Sequence, residues 1–237
     1  MELRRVAFRL AVAALAALAW PPVGLAQSSS SSVPAPVPSS PSSAPSSKHV
    51  QKPAAPAEPG IDPGAVSNGI YNNRTLGFTY KIPAGWVLRT EDMNARDENE
   101  STAEKTAGGK VLLAAFSRPP EARGEGVNAS IVIAAESVAT YPGLKEAVQY
   151  FGPLTEVAKA QGFAADEEPY EIAMGTRTLV RGDFHKNVGT RVMRQSTVAM
   201  LARGYAVSFT VIGGTEDEVE ELMDGLSFAA QGVATHK

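Results

Sequence analysis

The chain has 237 residues, 43% of them hydrophobic and 20% charged, with a formal net charge of -3, a balance suited to a soluble globular domain carrying some non-globular sequence. It contains no cysteine, which excludes disulfides, thiolate metal sites and cysteine nucleophiles together. The three histidines, His49, His185 and His236, are far apart in sequence, so no cluster has metal-ligand spacing and no cofactor is expected.

At the N-terminus Arg4, Arg5 and Arg9 precede an apolar Ala/Leu run from Leu10 to Trp20, which Pro21 and Pro22 break. Gly24 and Ala26 supply small residues before Gln27, the pattern of a cleaved export signal over residues 1-26. The run is short for a span of ~20 apolar residues, so no membrane span is expected after cleavage and the mature chain is expected to be periplasmic or extracellular. Loss of Glu2 and those three arginines takes the net charge from -3 to -5. An acidic chain with no basic stripe lacks the electrostatic footprint of a nucleic-acid binder.

Residues 28-60 hold eleven serines and eight prolines and almost no large apolar side chain. Such sequence cannot bury a core, and residues 27-66 read as a disordered or extended linker. Sequons occur at Asn73, Asn99 and Asn128.

From about residue 67 short periodic segments begin and continue to 230, leaving 231-237 as a tail. Phe78, Tyr80 and Ile82 alternate with polar residues, which predicts one apolar face of a strand, and Pro83 to Gly85 predict the turn that ends it. The charged residues 90-109 read as a mobile loop. Lys110 to Phe116 and Ser130 to Ala135 predict paired core strands. Leu144, Ala147, Val148 and Phe151 then fall on one helical face, Gly152-Pro153 predict an interruption, and a second helix is expected from Pro153 to a stop at Gly162. Four strands follow, from Tyr170, Arg177, Arg191 and Tyr205, the last two joined by a hairpin at Ala202-Arg203-Gly204. Thr215 and Glu218 predict a capping box, and Val219, Leu222, Met223 and Leu226 the buried face of the final helix. This order predicts an α+β domain, an antiparallel sheet with helices segregated onto one side.

Chemistry-bearing residues are few. Asp183 and His185 share a strand face, where a carboxylate can orient an imidazole, giving an alternative reading as an envelope hydrolase. No serine lies in a nucleophile elbow, however. Arg177, Arg181 and Arg191 lie on the C-terminal strands and form a candidate basic contact patch. Trp86, just past the turn, is a candidate contact residue. The acidic residues from Glu216 to Asp224 read as the solvated face of a helix.

The run Tyr71-Asn72, then Gly77-Phe78, Tyr80, Pro83 and Gly85-Trp86, resembles the opening of PsbP-like and DcrB-like domains. The middle helix, the hairpin with its Gly204-Tyr205 turn and the close at Leu226-Ser227-Phe228 follow that family's order. The resemblance implies an antiparallel sheet sandwiched by helices, and a binding or assembly module rather than an enzyme. The reading is an exported, non-catalytic module with an envelope protein or a small ligand as its partner.

Overall fold

The structure is a computed structural model that describes residues 61-100, 109-122, 124 and 126-228, with 96-100 described by their backbone alone. The leader at 1-26, the linker to residue 60 and the tail at 231-237 lie outside the described residues. Ordered contacts begin before the boundary at 67: Ile61 packs on the core and the Asn73 side chain donates to the Asp62 carbonyl at 2.9 Å.

The fold is α+β, with antiparallel strand pairing throughout. A small sheet has the order β1 (Ala65–Ser67), β2 (Ile70–Asn73), β3 (Phe78–Lys81), β12 (Leu226–Phe228). A large sheet runs β4 (Val87–Leu88), β5 (Gly109–Phe116), β6 (Ser130–Ser137), β11 (Tyr205–Gly213), β10 (Arg191–Ala202), β9 (Arg177–Val188). The outer edge of β9 is covered in two pieces, by β7 (Ala164–Ala165) and β8 (Tyr170–Met174).

The main core lies between the sheets. Phe78 and Tyr80 of β3 are buried, and Phe78 meets Phe209 of β11 edge to face at 4.8 Å between centroids. The expected alternation of Phe78, Tyr80 and Ile82 is therefore present, and Gly85, at φ +80°, makes the expected turn. Residues from Ala206 to Ile212 are all buried on both faces because β11 is central and covered on each side. Arg203 and Gly204 both have positive φ and close the predicted hairpin as a two-residue turn.

Helices lie on both faces, as in the sheet sandwiched by helices that the resemblance implies, and the segregation onto one side expected from the order of elements is corrected. Met93 of α1 (Thr90–Glu100) packs with Val111, Ala114, Phe116 and Val132, and Tyr150, Phe151 and Leu154 of α2 (Ala147–Ala160) pack with Val180, Ala199 and Ala206. Val219, Leu222 and Met223 of α3 (Glu216–Met223) join the opposite face, with the small sheet. Leu226 is buried too, but in β12 rather than in the helix.

Two other expectations are corrected. Residues 90-100 are helical rather than a loop, because polar contacts anchor α1: Thr90 Oγ1 accepts from the Ala114 N–H, and Asn94 exchanges two hydrogen bonds with the Val111 backbone. Residues 101-108 lie outside the description. The helix at 147-160 runs unbroken through Gly152-Pro153. Glycine before proline has no Cβ to clash with the pyrrolidine ring, and buried side chains on both sides of Pro153 pin the helix together. Its start also moves: Val148 is exposed and Tyr150 takes the inward place.

Candidate functional site

β9 and β10 pair so that Asp183 faces Ser196 and His185 faces Arg194. Directly opposed residues share a sheet face, so Arg181, Asp183, His185, Arg194 and Ser196 all stand on the face that carries α3. Gly182 faces the other way, where an added Cβ would lie 2.6 Å from Phe151. Between the arginine-bearing strands, α3 and the segment after β7 lies a cavity of about 480 Å³, lined by Asp166, Glu167, Arg181, Asp183, Arg194 and Glu220 among others.

Its charges are tied in two groups. Arg181 Nε donates to both Asp183 oxygens at 3.0 and 3.1 Å, while its Nη1 and Nη2 form a fork onto Glu220. Burial works against the guanidinium charge, but the Glu220 hydrogen bonds and the Asp183 charge outweigh it and hold its pKa above the ordinary value. Tyr170 donates to Asp183 at 2.7 Å; burial, then that bond and the carboxylate charge, push its phenol up to about 12. In the second group Arg194 Nη1 lies 3.0 Å from Glu216 and 3.8 Å from Asp166, and Asp166 also bonds His185 Nδ1.

Glu216 and Glu220 are four apart on α3 and so point the same way, toward Arg194 and Arg181 respectively. The acidic helix face is therefore partly ion-paired rather than wholly solvated, a correction to its reading as a free surface. The capping expectation shifts by one residue. Thr215 Oγ1 accepts from the Glu218 N–H at 3.1 Å, but Glu218 takes the Gly214 N–H rather than that of Thr215.

The six candidate residues separate. Arg181 and Asp183 line the cavity, and His185 adjoins it through Asp166. The Asp183–His185 couple is not formed: Asp183 is taken by Arg181 and Tyr170, and the imidazole's carboxylate is Asp166. That couple orients the ring, but Ser196 Oγ on the same face has no hydrogen-bond partner and is not engaged by it as a nucleophile. Arg177 lies elsewhere, its guanidinium 5.4 Å over the Phe228 ring. Arg191 is exposed at the tip of the β9–β10 hairpin, and Trp86 is half-buried against the main core.

Asp166, Tyr170, Glu216 and Glu220 are the site residues sequence reasoning missed. The four-residue spacing of the two glutamates was visible, but their target needs the strand register. Two of the sequons are occupied structurally: Asn73 is fully buried, and Asn128 bonds Ser117 and Arg118. Among the described residues no group of three or more histidine and acidic side chains is placed to hold a metal ion, and no helix is long and apolar enough to cross a membrane.

The described residues thus form an α+β domain with two antiparallel sheets and a charged cavity beside β9 and β10. No family model and no curated protein matches the chain. Among solved structures, the cyanobacterial PsbP of Synechocystis sp. PCC 6803 is similar at a TM-score of 0.43 and 16% identity, over 70% of this chain and 96% of that one. LpqN of Mycobacterium tuberculosis, a protein involved in cell envelope biogenesis, is similar at 0.34 and 12%, over 71% and 87%. The Ran-binding protein Mog1p of Saccharomyces cerevisiae gives 0.34 and 14%, over 65% and 80%.

Proposed function

We propose that the domain is a non-catalytic binding or assembly module of an exported envelope protein, and that the cavity between β9, β10 and α3 is where it takes its ligand or partner. The carrying observation is that cavity itself, about 480 Å³, within the range of small-ligand sites. Its arginines are held by carboxylates from two different elements, so the walls are fixed before anything binds. Export rests on the basic, apolar leader with Gly24 and Ala26 before Gln27.

The test is a fragment screen of the full chain by amide chemical shifts, using cationic, anionic and neutral compounds. At least one compound is expected to saturate with shifts at Asp166, Asp183, Glu216 and Glu220. Hits confined to other surfaces would remove the cavity from the proposal. Turnover of an ester or peptide that disappears in His185→Ala would replace a binding module with an enzyme.

A further inference from the structure

The face of the large sheet that carries α1 and α2 is not fully covered. Val111, Ala134, Ser208 and Ala199 stand side by side across β5, β6, β11 and β10. Val111 packs with Met93 of α1, and Ala199 packs with Tyr150, Phe151 and Leu154 of α2. Between them Ala134, in the middle of a strand paired on both sides, is only half-buried. A central-strand side chain keeps such exposure only where nothing lies over it, so a slot between the two helices reaches down to the sheet. The small side chains of Ala134 and Ser208 keep its floor low. The slot lies on the face opposite the charged cavity and does not depend on it.

Two nearly buried polar groups border this slot. Ser208 is 5% exposed, and its hydroxyl has no hydrogen-bond partner among the described residues. Glu136, two residues on from Ala134 and so on the same face, is 4% exposed. Its Oε2 accepts from Tyr141 and, at 3.1 Å, from Tyr150, while its Oε1 accepts from no described residue. Unlike the Ser130 hydroxyl on the same face, neither Ser208 Oγ nor Glu136 Oε1 is sealed from solvent, so both open on the slot. In the β6–β11 register the two residues are diagonal neighbours, with Cβ atoms roughly 7 Å apart. Beyond Ser208 the polar edge closes, since Thr210 is tied to Thr197 at 3.0 Å.

Burial favours the protonated form of Glu136. Both lone pairs of Oε2 are taken by the tyrosine hydroxyls, so the acid's proton sits on Oε1 and is offered to the slot. Ser208 adds a second donor and two lone pairs. No basic side chain pairs with Glu136 among the described residues, so an anion would find no counter-charge there. An ammonium would have to ionise Glu136 against its burial. A hydroxyl group both donates and accepts, and several on one small carbon frame can meet the Glu136 O–H and the Ser208 hydroxyl together.

We propose that the slot between α1 and α2 binds a neutral molecule bearing several hydroxyls, of the sugar or polyol class. A free sugar and one unit of a glycan offer the same groups, and chain length separates the two sources.

The experiment titrates the full chain with glycerol, glucose and N-acetylglucosamine, followed by amide shifts, with chitotriose, putrescine and acetate as parallel arms. At least one neutral arm is expected to saturate with shifts centred on Ala134, Glu136 and Ser208. Ser208→Ala should weaken it severalfold, and Ala134→Val, which raises the floor, should abolish it. Glu136→Gln, whose amide oxygen can accept from the tyrosines while its N–H takes the place of the Oε1 proton, should restore binding to within severalfold of the wild type where Glu136→Ala loses it. Melting temperatures of the four variants identify any that fail to fold, and Ser208→Ala, which removes one oxygen only, carries the test if the others do. Tighter saturation by chitotriose at the same residues would keep the hydroxyl chemistry and assign its source to a glycan. Saturation unaffected by Ser208→Ala and Ala134→Val would overturn the proposal, as would failure of every neutral arm at these residues. Saturation by putrescine or acetate alone, or a loss in Glu136→Gln as large as in Glu136→Ala, would overturn the neutral ligand.

Discussion

Arg181 and Glu220, 39 residues apart in sequence, meet in a two-pronged ion pair that fastens α3 to β9. Their environments are unequal: 14% of the Arg181 side chain is exposed against 56% of Glu220. Removing the arginine leaves Asp183, 20% exposed, with the Tyr170 hydroxyl still donating to it. Arg181→Ala is therefore expected to cost about 1–3 kcal/mol, the range for a poorly solvated group losing its partner. Glu220→Gln should cost no more than about 1 kcal/mol because water screens that end of the pair. Urea denaturation of the two variants decides it, and equal losses would mean the exposed end matters as much as the buried one.

Glu136 makes a pH-dependent prediction. It is buried on β6, and the hydroxyls of Tyr141 and Tyr150 both donate to its Oε2. Burial raises its pKa above the ordinary 4.5, with the two tyrosine hydrogen bonds opposing that rise. A raised folded value means the protonated acid suits the fold better. The group's contribution is complete below the unfolded value and is lost as pH rises through the folded one. Stability of the wild type should thus decline across the window that opens at 4.5. Glu136→Gln, whose amide oxygen can accept from both tyrosines, should flatten that decline and be the more stable form at neutral pH. Melting curves of both proteins from pH 4 to pH 8 test the sign; a variant less stable at every pH would show that the tyrosines need the carboxylate.

Trp86 tests where framework ends and site begins. The indole is half-buried against the main core and does not line the charged cavity. Trp86→Ala should cost about 1–3 kcal/mol through lost apolar burial, while ligand titrations at the cavity keep the affinity of the wild type. A large loss of affinity with unchanged stability would return Trp86 to the contact residues.

The readable part of the fold is the part built on period. Phe78 and Tyr80, the alternation from Tyr205 to Val211, and the cap at Thr215 each follow from residue type and spacing, and each is where spacing puts it. α1 was illegible for a physical reason. Its sequence has one buried apolar side chain, Met93, and its place is set by Asn94 imitating a strand partner to Val111, beside the irregularity in the β5–β6 register. Such polar docking leaves no periodic trace. The candidate site was half legible. Arg181 and Asp183 were visible as charges on one strand face, but Asp166 reaches His185 only because β7 pairs with the outer edge of β9. That pairing depends on a two-residue strand, Ala164–Ala165, too short to carry a pattern.

The glycine between Arg181 and Asp183 gives the last prediction. Gly182 lies on the face opposite the ion pairs, where a Cβ would stand 2.6 and 3.0 Å from two atoms of the Phe151 ring. Phe151 is itself 2% exposed, on the α2 face that packs against β9 and β10. The ring has no solvent to move into, so Gly182→Ala must push α2 outward, at a cost of about 1–3 kcal/mol typical of overpacking. Phe151→Leu in the same chain should recover part of that loss, because the shorter side chain vacates the space the methyl needs, and the pair should depart from additivity as contacting residues do. A double-mutant cycle by chemical denaturation measures the coupling. Simple addition of the two losses would mean that α2 and β9 adjust independently, and that the glycine is required for a reason other than this contact.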